Sequence, residues 1–250
     1  MATTGLPRSD TRLKIIRLAA ELYLDQGYSK TSNNKIASML GLSPGNITFY
    51  FPTKDHLLAV LVDELFDFQN LFMETAAAEG KSSLLAYCLE LTTMAAACEE
   101  NHIIRDFFRS AYSSELTLDL IRANDADKTS QIFSEFCPGW TAERWLATEN
   151  IVSGIEFATI MTGESSTPLD VQIERTLNSI LLIYGVPEEL RQIKIKKVLS
   201  MDYRALGHRV LKEFKEYLKT VNEANLKEYS QHRRRRVLSQ YYAESSEGTV

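Results

Sequence analysis

The side chains best suited to molecular recognition crowd into residues 27–57, GYSKTSNNKIASMLGLSPGNITFYFPTKDHL. Two short helical patterns separated by Gly41, Leu42 and Ser43 form a helix-turn-helix, in which a tight turn sets the second helix across the first. The second helix is short and nearly uncharged, so it is marginal alone and must be held by its neighbours. Ile47 and Phe51, four apart, face the supporting helices. That leaves Gly45, Asn46, Thr48 and Phe49 outward, small or polar residues able to enter a major groove. Phe49 and Tyr50 near Lys54 suit packing against sugars and thymine methyl groups, with the ammonium on a phosphate. Asn46 is the first candidate for a base reader, because an amide bonds adenine in two places. Asn33 and Asn34 have a competing use as helix caps.

Other chemistries find little support. Glu99 and His102 have the Glu-x-x-His spacing of one half of a di-iron site, but a bundle of that kind needs two such pairs and no second one exists. His56, His102, His208 and His232 lie far apart, and there is no Ser-His-Asp arrangement and no glycine-rich phosphate loop. Catalysis is therefore the weakest class, and neither a cofactor nor a metal is expected. Cys88, Cys98 and Cys137 are odd in number and lack metal or redox spacing. They read as small core residues in a reducing compartment, which predicts a cytoplasmic protein. The run HRRRR, from His232 to Arg236, has two readings: a phosphate or acidic-partner contact, or a solvated helix end.

The elements that must position these residues are helical. Apolar residues make up 44% and charged residues 24% of the 250, enough for a core and without the long apolar run of a membrane helix. Proline and glycine fall between apolar-periodic runs, and no alternating strand pattern appears. The first helix starts near Ser9 or Asp10, either able to cap it, buries Leu13, Ile16, Ala20, Tyr23 and Leu24, and stops at Gly27. Thr31 or Ser32 caps the second, Ser43 the third with Pro44 in its first turn, and a long helix follows from residue 54 to about Ala78. Further helices are expected near 82–98, 102–112, 116–135, 141–162, 169–184, 188–200 and 202–230. The net charge of −5 conceals a segregation: +4 over 1–54, −14 over 55–185, +7 over 186–236 and −2 over 237–250. A basic head on an acidic body suits a protein of which one end meets phosphate.

At these residues the chain resembles the TetR family of transcriptional regulators. The matching positions are Thr31, Ser32, Ile36, Ala37, Gly41, Leu42, Ser43, Gly45, Ile47, Tyr50, Phe51, Thr53, Lys54, Asp55 and Leu57, while Thr48 replaces the family's frequent tyrosine and Pro52 precedes Thr53. The resemblance implies an all-α fold with a helix-turn-helix head at 1–54 and an effector-binding and dimerisation body at 55–185. Charge and composition add a basic helical extension at 186–236 and a polar, disordered tail at 237–250. The resemblance also implies that Thr31, Ser43, Tyr50 and Lys54 bind phosphates, that Asn34, Asn46, Thr48 and Phe49 lie nearest the base edges, and that Ser32 and Gly45 belong to the same DNA-binding surface. A homodimer is implied through helices 141–162 and 169–184, with Ile151, Ile155, Ala158, Leu177, Ile180, Leu181 and Tyr184 in the interface. Such a dimer reads a pseudo-palindrome with half-sites roughly 34–36 Å apart. It would be a repressor released by an unidentified small molecule, with no membrane partner. Expected effector contacts are Tyr87, Met94, Phe107, Phe108, Tyr112, Phe133, Trp145, Phe157 and Met161, all of which have a competing use as core. The acidic body suits a cationic effector, though solvated acidic faces account for it equally. A second class of function is an interaction protein whose basic C-terminal helices dock on a partner.

Overall fold

A computed structural model describes residues 8–79, 83–162 and 167–222, and among these the regular elements are eleven α-helices. The run from His232 to Arg236, the tail 237–250 and the end of the expected basic extension lie outside the described residues. The head comprises α1 (Arg8–Asp25), α2 (Asn33–Leu40) and α3 (Pro44–Tyr50). Because α1 begins at Arg8, Asp10 sits inside its first turn and does not cap it. Ser32 caps α2, its Oγ accepting from the Lys35 N–H, and Gly41 ends the helix at φ 66°, a left-handed conformation that a side chain would strain. Its amide returns to the carbonyls of Ala37 and Ser38, which closes the turn that aims α3.

The body follows as α4 (Lys54–Ala77), α5 (Leu84–Glu100), α6 (His102–Ser113), α7 (Glu115–Ile132), α8 (Ala142–Met161), α9 (Leu169–Ile183), α10 (Glu188–Leu199) and α11 (Tyr203–Thr220). Its axis is α5, which touches α4, α6, α8, α9, α10 and α11 and is buried nearly all round. A helix apolar on every face has no stable place except between other helices.

The described part of the basic C-terminal segment belongs to this core. Ile195 and Val198 of α10 and Val210, Phe214 and Leu218 of α11 are buried. At Gly207 a Cβ would stand 2.9 Å from the Thr93 carbonyl oxygen, so α11 approaches the α5 backbone more closely than any other residue allows. The same helix reaches the head: Arg17 of α1 donates to the Leu218 and Val221 carbonyls at 2.7 Å each, and Lys215 pairs with Asp25 at 2.7 Å. Arg17 thereby satisfies carbonyls that the end of α11 leaves open. No described helix is long and apolar enough to cross a membrane.

Candidate nucleic-acid interface

The recognition face is α3. Ile47 is its one buried residue and with Phe51 anchors it, as the four-residue spacing predicts. Gly45, Asn46, Thr48 and Phe49 are exposed, Phe49 at 67%, and Tyr50 is half-buried against the Phe49 ring at 5.0 Å. Ser43 caps α3 by position without a hydrogen bond to the helix amides; instead its Oγ donates to Asn46 Oδ1 at 2.8 Å. That bond turns the Asn46 NH₂ away from Ser43 and leaves it available as a donor. The Thr48 hydroxyl folds back to the carbonyls of Pro44 and Gly45, at 3.3 and 3.2 Å, so the group it presents outward is its methyl. Asn34 and Ser32 are exposed on α2.

Two residues expected at the DNA backbone already make hydrogen bonds within the chain. Thr31 is 1% exposed and its hydroxyl donates to the Gly27 carbonyl at 2.9 Å, because the bend between α1 and α2 needs that carbonyl satisfied internally. Lys54 is half-buried: Nζ donates to the Tyr28 carbonyl at 2.5 Å and lies 3.6 Å from the Tyr28 ring centre. Burial pushes its pKa down, against the pull of Asp106 and Asp55. The ammonium that spacing assigns to a phosphate is thus engaged in pinning α4 to the corner after α1. Tyr28 completes the pin by donating to Asp55 Oδ1 at 2.5 Å.

A second tie joins head to body. Asp106 of α6 accepts from the Ser29 N–H at 2.8 Å and from the Ser29 hydroxyl at 2.5 Å. Gly27 makes room for it, at φ 97° and with a hypothetical Cβ only 3.0 Å from Asp106 Oδ2. One turn and a half further along α6, Tyr112 donates to Glu156 Oε2 of α8 at 3.1 Å. One rigid helix therefore carries a contact to the head and a contact to the body interior.

The expected dimer residues divide between two faces. Ile151 is 61% exposed, Ala158 is exposed and Ile155 half-buried. Leu177, Ile180, Leu181 and Tyr184 are fully buried within the chain, so they are core and not interface. They form the inward stripe of α9, whose contacts are α5, α8 and α10. The outward face of α9 shows Val171, Arg175 and Leu182, and it borders a groove shared with Ile151, Ile155 and Ala158 of α8. Periodicity marks an apolar stripe without saying which neighbour covers it.

The expected effector contacts are also divided. Tyr87, Met94, Phe107, Phe108, Tyr112, Phe133 and Trp145 are buried, while Phe157 and Met161 are half-buried. Phe133 stacks on Tyr184 at 4.1 Å and meets Tyr87 edge-on at 5.3 Å, and Trp145 lies 6.0 Å from Tyr184. Tyr112 stacks with Phe157 at 6.1 Å, and Phe107 and Phe108 form a separate edge-to-face pair. Sequence reasoning missed the buried polar groups between these rings. Glu149 is 1% exposed and accepts from Thr129 Oγ1 at 2.7 Å and from the Tyr184 hydroxyl. Acidic residues recurring within apolar helices were the available signal. Glu99, considered above for a metal, is paired with Arg204 at 2.7 Å, and no metal-binding cluster of His, Cys, Asp and Glu occurs among the described residues.

Residues 15–61 match the profile of the bacterial regulatory proteins of the tetR family. The chain is 32% identical over 110 residues to the probable HTH-type transcriptional regulator YttP of Bacillus subtilis (strain 168), across 44% of this chain and 52% of that protein. It is 31% identical over 80 residues to the uncharacterized HTH-type transcriptional regulator YuxN of the same organism, across 32% of this chain and 28% of that protein. The aligned stretches thus span about half or less of these relatives' own lengths. Two solved structures, the TetR family protein CprB from S. coelicolor A3(2) and a gamma-butyrolactone receptor (ArpA like protein), are each 20% identical, with TM-scores of 0.40 and 0.37. Each likeness covers 83% of this chain and 100% of the other. Residues 15–61, the helix-turn-helix head with the start of α4, are thus similar to the DNA-binding region of the tetR family of bacterial regulatory proteins.

Proposed function

We propose that the chain is a DNA-binding repressor that grips a pseudo-palindromic operator as a two-fold dimer and releases it when a small molecule enters the body. The observation that carries this reading is the α3 face: an exposed Asn46 amide oriented by Ser43, flanked by the Thr48 methyl and an exposed Phe49. An amide donor and acceptor beside apolar groups suits adenine next to a thymine methyl. Ser32, Asn34 and Tyr50 flank this face and would meet the DNA backbone or its edges. Dimerisation is supported by the groove of α8 and α9, in which Ile151, Ile155 and Ala158 are joined by Val171, and by the exposed Leu182 further along α9.

Release is supported by α6. An effector that displaces Tyr112 from Glu156 moves the helix on which Asp106 holds Ser29, and so turns the head. A ligand that prefers the turned state by about 3 kcal/mol lowers operator affinity roughly a hundredfold. The test is binding of the purified protein to DNA upstream of its own gene, titrated with salt and footprinted. Half-sites about one helical turn apart, with affinity falling as salt rises, are expected. A protein that shows no preferred site in a selection from random DNA refutes the reading.

A further inference from the structure

The face that α3 turns outward carries no charge. From Ile36 to Thr53 the chain has no Lys, Arg, His, Asp or Glu. The lysines at either end are engaged: Lys35 Nζ donates to Gln26 Oε1 at 2.6 Å, and Lys54 Nζ to the Tyr28 carbonyl. The helix therefore offers no guanidinium or ammonium to the N7 and O6 acceptors of guanine, for which such a cation is the commonest specific partner. What it does offer is one amide, one methyl and one phenyl ring. The Asn46 amide is held by Ser43. The Thr48 hydroxyl bonds back to carbonyls of its own helix, so its methyl is the outer group. Phe49 is 67% exposed, with its ring set edge-on to Tyr50 at 88°.

Gly45 is an independent sign that another surface comes close. Among the described residues a Cβ there would meet the Ser43 hydroxyl oxygen alone, at an ordinary contact distance of 3.8 Å. Packing within the chain thus has no need of a glycine, and glycine is a poor helix former. Helical spacing sets Gly45 between Thr48 and Phe49 around the helix, one turn before both. Its missing side chain lets the backbone at the centre of the face approach what the face meets.

The major-groove edges of the bases carry one apolar group, the 5-methyl of thymine. We propose, on the DNA-binding reading, that α3 selects its half-site through thymine methyls and makes no guanine contact. Phe49 and the Thr48 methyl cover the thymine methyls, Asn46 pairs with an adenine, and Gly45 lets the helix sit close to the base pairs. Uracil lacks the methyl that this face covers. 5-Methylcytosine carries the same methyl at the same ring position, so the face responds to cytosine methylation at a covered position.

The experiment first selects preferred duplexes from random DNA with the full chain. Each thymine of the selected half-site is then replaced by uracil, and affinity is measured by fluorescence anisotropy. One or two positions should lose roughly three- to fivefold each, the factor that one buried methyl group contributes. At those positions a 5-methylcytosine duplex should bind more tightly than the cytosine duplex by a similar factor. Phe49→Ala and Thr48→Ser, which leave the anchors Ile47 and Phe51 in place, should each erase the thymine-uracil difference at one position. Gly45→Ala should keep or raise the unfolding temperature and yet weaken operator binding severalfold. The proposal is overturned if uracil binds as well as thymine throughout, if cytosine methylation has no effect, or if the difference survives in both Phe49→Ala and Thr48→Ser. A preferred site that is indifferent to uracil removes this proposal alone and leaves the DNA-binding reading standing. The lack of any preferred site removes both.

Discussion

Asp106 holds Ser29 by two hydrogen bonds, one to its amide and one to its hydroxyl, and thereby fastens the corner after α1 to α6 of the body. The orientation of the head is set by this contact, by the Lys54 pin and by Arg17 on the end of α11. Gly27→Ala strains a left-handed backbone and crowds Asp106, so a loss of about 1–3 kcal/mol of stability is expected. Asp106→Ala should keep operator binding but blunt its response to effector. Thermal unfolding checks the first, and operator titrations in the presence and absence of effector check the second.

Ser43→Ala leaves a cap position that makes no helix bond, so stability should change little. It should instead free the Asn46 amide to rotate and cut affinity for the selected operator up to tenfold, while Asn46→Ala removes about 1–3 kcal/mol of discrimination. Binding to random DNA should be unaffected by either. Fluorescence anisotropy on operator and random duplexes distinguishes specific from general loss.

Lys54→Met should lower stability by roughly 1–2 kcal/mol through loss of a charged hydrogen bond and the Tyr28 contact. The slope of log affinity against log salt should stay at its wild-type value. A slope reduced by about one would mean that Lys54 leaves Tyr28 and neutralises a phosphate.

The oligomeric state should turn on the outward faces of α8 and α9. Ile151→Asp and Leu182→Asp should give folded monomers in light scattering, because both side chains are more than half exposed in the single chain. Leu177→Asp should fail to fold, since it places a charge in a core position with no exposure.

Stability should depend on pH through the acidic interior. Glu156 and Glu149 both have raised pKa values on folding, chiefly through burial. A folded pKa above the unfolded one means that the native state keeps a proton which the unfolded chain gives up. Their stabilising contribution is thus complete below the unfolded carboxyl range and is lost as pH rises towards the folded values. Glu156→Gln should flatten this decline and gain about 1 kcal/mol or more at pH 8. Denaturant midpoints between pH 5 and pH 8 measure it, and parallel profiles for wild type and variant would refute the assignment.

By itself the sequence determined the helical class, the helix-turn-helix and the outward residues of α3. Local rules suffice there: Gly41 must turn, Ser32 and Pro44 must start helices, and Ile47 and Phe51 share one face of seven residues. The tertiary structure decided what long-range neighbours decide. Lys54 carries the family's residue type, yet Tyr28, 26 positions earlier, claims its ammonium. Leu177 and Tyr184 are apolar at the right spacing for an interface, yet the packing of α9 turns them inward and leaves Val171 and Leu182 outside. Glu149 and Glu156 read as ordinary charged residues along the chain, and only the bundle sets them against Tyr184 and Tyr112. The physical reason is common to all three: spacing states which residues share a face, whereas the neighbour that covers the face comes from residues tens to hundreds of positions away.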